Sequence, residues 1–165
     1  MATVELRAAT VDDFDAIVAL NAAVVEMTSA MDRARLALLA EQSQYLQVAT
    51  VEGDVAGFLL AFRAGAGYDN ANFSWFSERY TDFVYIDRIV VAAKYAGEGI
   101  GSRLYQHLFT WSESEGVPCA CCEYNLEPPN PQSAAFHQRH RFHEVGVQVL
   151  GQPAKTVSMQ RRELG

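Results

Sequence analysis

Two residue patterns in this 165-residue chain have the types and spacing to do chemistry. The first is Ala96-Gly97-Glu98-Gly99-Ile100-Gly101-Ser102, which joins an apolar segment, Phe83 to Val91, to an amphipathic one, Ile100 to Glu115. Glycines let backbone N–H groups converge on a ligand, and the N-terminus of a following helix adds a potential that favours anions. Together they form a cradle for a pyrophosphate that needs no basic side chain. Two rival phosphate motifs do not match. A P-loop closes on Gly-Lys-Ser/Thr, whereas here Gly101 is followed by Ser102-Arg103; a dinucleotide fingerprint has two residues between its last glycines, whereas here there is one. The second pattern is a pair of acidic residues, Asp87 and Glu123, each inside an otherwise apolar strand. Burial raises a carboxylate's pKa, which suits it to accept a proton directly or through water. Either one reads equally well as a structural partner of Arg88 or another cation.

Other constellations carry less. Cys119, Cys121 and Cys122 fall in one strand, where alternation sends Cys121 and Cys122 to opposite faces, and no second cysteine group completes a zinc set. They read as buried, reduced thiols. His137, His140 and His143 are spaced by three, but His143 lies past the end of the helix and no carboxylate pattern accompanies them, so no metal is expected. Ser133 lies four residues from His137 without the Gly-x-Ser-x-Gly elbow of a hydrolase.

The elements that must position these residues alternate along the chain. Thr3 to Ala8 reads as a strand, and Val11-Asp12-Asp13 opens a helix carrying Phe14, Ile17, Val18 and Val25. A second helix covers Asp32 to Glu41. Tyr45 to Val51 and Val55 to Phe62 form a hairpin around Glu52-Gly53-Asp54. Arg63 to Asp82 lacks a regular period and is rich in aromatic residues, which suits either a substrate lid or a short helix packed on the sheet edge. Phe83 to Val91 is a strand covered on both faces, and Ile100 to Glu115 is a helix ended by Gly116-Val117-Pro118. A strand at Cys119 to Asn125, a helix at Pro131 to Arg141, and strands at Glu144 to Leu150 and Thr156 to Gln160 complete an α/β (α+β) sandwich. One domain over residues 1–165 is expected, since no linker, repeat or low-complexity segment divides the chain.

A net charge of −7 argues against nonspecific nucleic-acid or anionic-membrane binding, both of which need a basic footprint, and is compatible with a cationic substrate. The longest apolar stretches fall short of a membrane span, and the N-terminus lacks the basic-then-apolar pattern of a secretory signal. A cytoplasmic protein is expected.

The glycine turn at the end of a buried strand resembles the motif Arg/Gln-x-x-Gly-x-Gly/Ala of the GCN5-related N-acetyltransferase (GNAT) superfamily, with Gly99-Ile100-Gly101 following Val90-Val91. It departs at Ala96, where the family carries Arg or Gln. A second stretch, Asn130-Pro131-Gln132-Ser133-Ala134-Ala135-Phe136-His137, resembles the family's Asn-x-x-Ala/Ser-x-x-aromatic-Tyr, with Arg141-Phe142 in place of a Gly-Phe ending. The resemblance implies a mixed, mostly antiparallel sheet of six to seven strands flanked by helices and splayed at a central parallel pair. It implies acetyl-CoA as co-substrate, paired along Ile89, Val90 and Val91, its pyrophosphate on Ala96 to Ser102, with Asn130, Ser133 and Phe136 on the other wall. A backbone N–H near Val91 would polarise the thioester. His137 stands where the family places a tyrosine that protonates the leaving thiolate. Asp87 and Glu123 become candidate bases, and Glu26, Tyr85 and Asn125, with the Tyr68 to Tyr80 loop, would line an amine pocket. A homodimer is expected by resemblance. The alternative function is an acyl-CoA-binding sensor without catalysis, suggested by Ala96, His137 and Arg141.

Overall fold

The computed structural model describes residues 3–165; Met1 and Ala2 lie outside the described residues. Seven strands form one sheet in the order β1-β2-β3-β4-β5-β7-β6. They are β1 (Val4–Ala8), β2 (Tyr45–Val51), β3 (Asp54–Arg63), β4 (Val84–Val91), β5 (Cys119–Glu127), β6 (His143–Leu150) and β7 (Lys155–Glu163). Every neighbouring pair is antiparallel except β4 and β5. The apolar run of β3 is buried on both faces, and alternation divides it. Phe58, Leu60 and Phe62 join a cluster under α1 (Phe14–Ala23), α2 (Arg33–Gln42) and α3 (Ala71–Ser77), while Leu59 and Ala61 join a cluster under α4 (Ile100–Ser114). Helix α4 sends Ile100, Leu104, Tyr105, Leu108 and Phe109 into that second cluster, the spacing of one helical face. Helix α5 (Pro131–Arg139) closes beside it through Phe136.

Two irregularities in β4 shape everything that follows. Its parallel ladder with β5 consists of Val84 against Ala120 and Tyr85 against Cys121, and beyond that the strands diverge. The ladder with β3 pairs Arg88 with Leu60 and Ile86 with Ala61, leaving Asp87 as an extra, bulged residue. A bulge breaks the period-two alternation. Arg88 therefore comes round to Asp87 rather than pointing away from it, and Asp87 does not share a face with Val91, although strict alternation would place the two together.

The segment 64–82 holds one short helix, α3, packed on the core rather than a lid. Asn70 caps α3 by accepting from the N–H groups of Asn72 and Phe73, and Phe73 and Phe76 are buried in the core. Trp75 packs its ring against Gly146 of β6, where an added Cβ would stand 2.3 Å from the indole. Helix α1 ends at Ala23, earlier than the apolar pattern suggests: Asn21 is fully buried and turns its side chain onto Ser29, and Val25 and Glu26 are exposed in the turn beyond. No helix among the described residues is long and apolar enough to cross a membrane.

Candidate active site

Where β4 and β5 part, a cleft of about 300 Å³ opens between them, floored by Ile86 to Ile89 and by Cys122 and Glu123. Met27 and Thr28 of the α1–α2 turn, Tyr105 of α4, and Asn130, Ser133, Phe136 and His137 of α5 complete its walls. The backbone of β4 is itself a wall. The Ala92 N–H donates to Ala56 O across the β3 side at 2.8 Å, so alternation turns the N–H groups of Ile89 and Val91 toward the cleft, where β5 no longer meets them. Val90 faces the other way and is buried.

The two carboxyls in this cleft are held differently. Asp87 is committed on both oxygens: Tyr68 donates to Oδ1 at 2.5 Å and the Arg88 Nε donates to Oδ2 at 2.6 Å. Arg88 also donates from Nη1 to Asn21 Oδ1 and Ser29 O, and from Nη2 to Ser29 Oγ, tying the α1–α2 turn to β4. The buried side chains of both members, 4% and 5% exposed, mark this as a structural pair. Among the described residues Glu123 has one partner, the Tyr85 hydroxyl, which donates to Oε1 at 2.5 Å. Burial pushes the Glu123 carboxyl up to about 8, a rise the Tyr85 hydrogen bond partly offsets. The same burial raises the Tyr85 hydroxyl well above its ordinary value, so it stays protonated and donates.

On the opposite wall, His137 is buried and both ring nitrogens are engaged. Nδ1 lies 2.7 Å from Ser133 O, and a carbonyl can only accept, so Nδ1 carries the proton. Nε2 is then the acceptor for the Tyr105 hydroxyl at 2.7 Å. Burial lowers the His137 pKa, partly opposed by the Ser133 carbonyl, so the neutral ring is favoured. In this arrangement His137 has no proton facing the cleft; the hydroxyl there belongs to Tyr105.

The glycine turn forms a second cleft of about 670 Å³ continuous in sequence with Val91. Gly97 and Gly99 have φ of +81° and +77°, and space around each is open, so both are required for backbone conformation rather than for room. Gly99 caps α4, whose first helical bond runs from Arg103 N–H to Gly99 O at 3.0 Å; the N–H groups of Ile100, Gly101 and Ser102 precede it. Gly101 is small because Phe136 packs on it, 3.3 Å from where a Cβ would be. Ser102 Oγ bonds His140 Nε2 at 3.0 Å. Ala96 and Glu98 belong to the same turn, with Ala96 on the cleft wall.

The structure thus brings together Asp87, Glu123, Ile89, Val91, the glycine turn, Asn130, Ser133, Phe136 and His137. Asn130 contributes by capping α5, accepting from the Ser133 N–H at 3.2 Å. Tyr85 lies beneath Glu123 rather than on the cleft wall, Asn125 sits farther along β5, and Glu26 is exposed beside the wall residues Met27 and Thr28. Two contributors escape the sequence reading: Tyr105 reads as one more core residue of an amphipathic helix, and Arg139 on α5 reaches the glycine cleft, whose described lining holds no other cation, while Tyr68, expected in the pocket loop, bonds Asp87. The signal for Arg139 is present, six residues after Ser133 on the same helix. Among the described residues no group of three or more His, Cys, Asp or Glu side chains is placed to hold a metal, and the three cysteines are free and buried.

This geometry agrees with what comparison with known proteins finds. The model of the acetyltransferase (GNAT) family matches residues 11–142. Among solved structures, the ribosomal-protein-alanine N-acetyltransferase of Brucella melitensis is 22% identical, with a TM-score of 0.76 over 97% of this chain and 99% of that one. Ard1 from Thermoplasma volcanium is 15% identical, with a TM-score of 0.80 over 98% of both chains. An N-acetyltransferase from Staphylococcus aureus Mu50 is 19% identical, with a TM-score of 0.75 over 99% of both. At these identities the structures show a shared fold. A comparison with curated proteins returned no match. With its family match over residues 11–142 and the splayed β4–β5 pair, the chain belongs to the GNAT acetyltransferase family.

Proposed function

We propose that the protein transfers an acetyl group from acetyl-CoA to a primary amine by direct attack. The observation that carries this reading is a pair of adjoining clefts that share Gln132 and Phe136 on their walls, one a backbone cradle at the glycine turn and the other holding the recessed Glu123 at the β4–β5 split. The N–H groups of Gly97 to Ser102 and the guanidinium of Arg139 hold the pyrophosphate of the donor, with Arg139 supplying the charge that Ala96 does not. Ile89 and Val91 pair with its pantetheine arm, and an N–H of β4 stabilises the negative charge that develops on the thioester oxygen.

Glu123 accepts the proton that the amine sheds as its nitrogen bonds the acyl carbon and the carbon–sulfur bond breaks. Its pKa of about 8 lies close to that of an alkyl thiol, about 8.5, so the same proton can pass to the departing sulfur without a large uphill step. Tyr105 spends its one proton on His137 Nε2, so the proton that reaches the sulfur comes from Glu123, and the Tyr105–His137 pair holds the wall opposite it. Asp87 positions the pocket through Tyr68 and Arg88. The protein works in the cytoplasm, consistent with its free thiols, and as a homodimer by analogy with its family; sedimentation as a monomer at working concentration would remove the dimer.

Incubation with acetyl-CoA and a panel of amines, followed by release of free thiol, tests the reading. Amine-dependent release that Glu123→Gln strongly lowers, leaving a measurable residue, supports it. Tight acetyl-CoA binding with no release for any amine would favour the sensor instead.

A further inference from the structure

We infer that His140 is a positioning residue of the glycine cradle: it donates from Nε2 to Ser102 Oγ and so turns the Ser102 hydroxyl proton toward a phosphate of the donor. The inference rests on the proposed seating of acetyl-CoA at that turn and concerns a side chain that acts there without touching the ligand.

Ser102 is the third residue of α4 and stands on the wall of the glycine cleft. Its own N–H is among those left without a helical partner at the start of the helix. Its hydroxyl has a single proton to give. Spent on another acceptor, that proton leaves the phosphate facing lone pairs; given to the phosphate, it makes a charge-assisted hydrogen bond. The atom behind the hydroxyl decides between the two. That atom is His140 Nε2, 3.0 Å from Ser102 Oγ. A bare Nε2 takes the serine proton, whereas a protonated one donates to the serine oxygen and releases the proton to the cleft.

His140 is suited to the second role. It lines neither cleft, and its ring is 7% exposed, packed between Phe136 at a centroid distance of 4.7 Å and Tyr105 at 5.3 Å, which fixes where Nε2 points. Phe136 in turn packs on Gly101, so one aromatic contact registers α5 against the cradle. Burial, then the cations Arg162 and Arg139, hold the His140 pKa below its ordinary value, so the ring is neutral and carries one proton. His137, three residues earlier, has that proton fixed on Nδ1 by the Ser133 carbonyl, which makes its Nε2 an acceptor. No carbonyl or carboxylate among the described residues fixes the His140 proton on Nδ1, and Nδ1 is not one of the buried polar atoms left without a partner. The His140 proton is therefore free to sit on Nε2, and a phosphate accepting from Ser102 selects that tautomer.

Titration calorimetry with acetyl-CoA tests this on wild type, Ser102→Ala, His140→Leu, the double variant and His140→Gln. Losing one hydrogen bond to a charged oxygen is expected to raise Kd about tenfold in Ser102→Ala and about as much in His140→Leu. The double variant is expected to lose about tenfold rather than about a hundredfold, because both changes remove the same bond. His140→Gln keeps an amide N–H that can donate to Ser102 Oγ and is expected to stay within about threefold of wild type. Ring-nitrogen NMR of wild type bound to acetyl-CoA is expected to show His140 Nε2 protonated. That measurement needs no variant and decides the matter if either His140 variant fails to fold. Additive losses in the double variant, no rescue by a folded His140→Gln, or a bare Nε2 in the complex would each overturn the inference while acetyl-CoA binding stands. Wild type that binds no acetyl-CoA overturns the proposed function, and this inference with it.

Discussion

Glu123→Gln separates a working base from a buried structural acid. Burial lifts the Glu123 carboxyl from the usual 4.5 to about 8. At that value roughly a tenth of the molecules carry the carboxylate at pH 7 and roughly nine-tenths at pH 9, so a step that needs the base rises about tenfold between them. The substrate ammonium loses its proton over the same range, so the assay is a ratio. Thiol release is measured for wild type and variant with one amine from about pH 6 to about pH 10, and the ratio of their kcat/KM values is expected to climb about tenfold and level off near pH 9. Stability supplies a second readout of opposite sign. Between pH 4.5 and about 8 the folded chain keeps a proton that the unfolded chain has released, so the contribution of Glu123 to stability falls as pH rises through that window and is constant above it. At about 1.36 kcal/mol per pH unit the loss is about 5 kcal/mol, which the variant, unable to ionise, does not suffer. A kcat/KM ratio and a stability difference that are both flat across this range would refute the assignment.

Tyr85→Phe removes the hydrogen bond that restrains the Glu123 pKa, so the activity limb moves to higher pH; a limb that moves down or stays put contradicts the geometry. Arg139→Ala is expected to weaken acetyl-CoA about fivefold, more at low salt, by titration calorimetry, because the cleft has no other cation to replace it. Gly99→Ala forces a side chain to φ +77° in open space, costing about 1 kcal/mol and lowering Tm by about 3 °C. Gly146→Ala drives a methyl into Trp75, 2.3 Å away, and is expected to cost about 1–3 kcal/mol, part of which Trp75→Leu recovers in the double variant.

The backbone of this account is legible in the sequence because its elements are locally determined. Val84 to Val91 is apolar enough to be covered on both faces, Gly97 and Gly99 are glycine because their φ is positive, and α4 shows a clean helical period. Asn130-Pro131 announces the start of α5, and Asn130 does cap it. What stays hidden depends on partners far along the chain. The Asp87 bulge exists only in the register between β3 and β4, and it alone brings Arg88 onto Asp87, so alternation assigns the two carboxyls alike when the structure does not. His137 looks free on its helix until Tyr105, 32 residues earlier, takes its Nε2. The early end of α1 follows from Asn21, whose buried carboxamide serves the turn and Arg88 rather than another helical turn.

The most direct test of the central claim is thermal unfolding with acetyl-CoA, beside NAD and ATP as controls. A ligand that binds only the folded chain stabilises it by about 2.7 kcal/mol at a hundredfold excess over its Kd. The account predicts a rise in Tm with acetyl-CoA that is absent with NAD and ATP and reduced in Arg139→Ala. No rise at saturating acetyl-CoA, or an equal rise with all three, would contradict it.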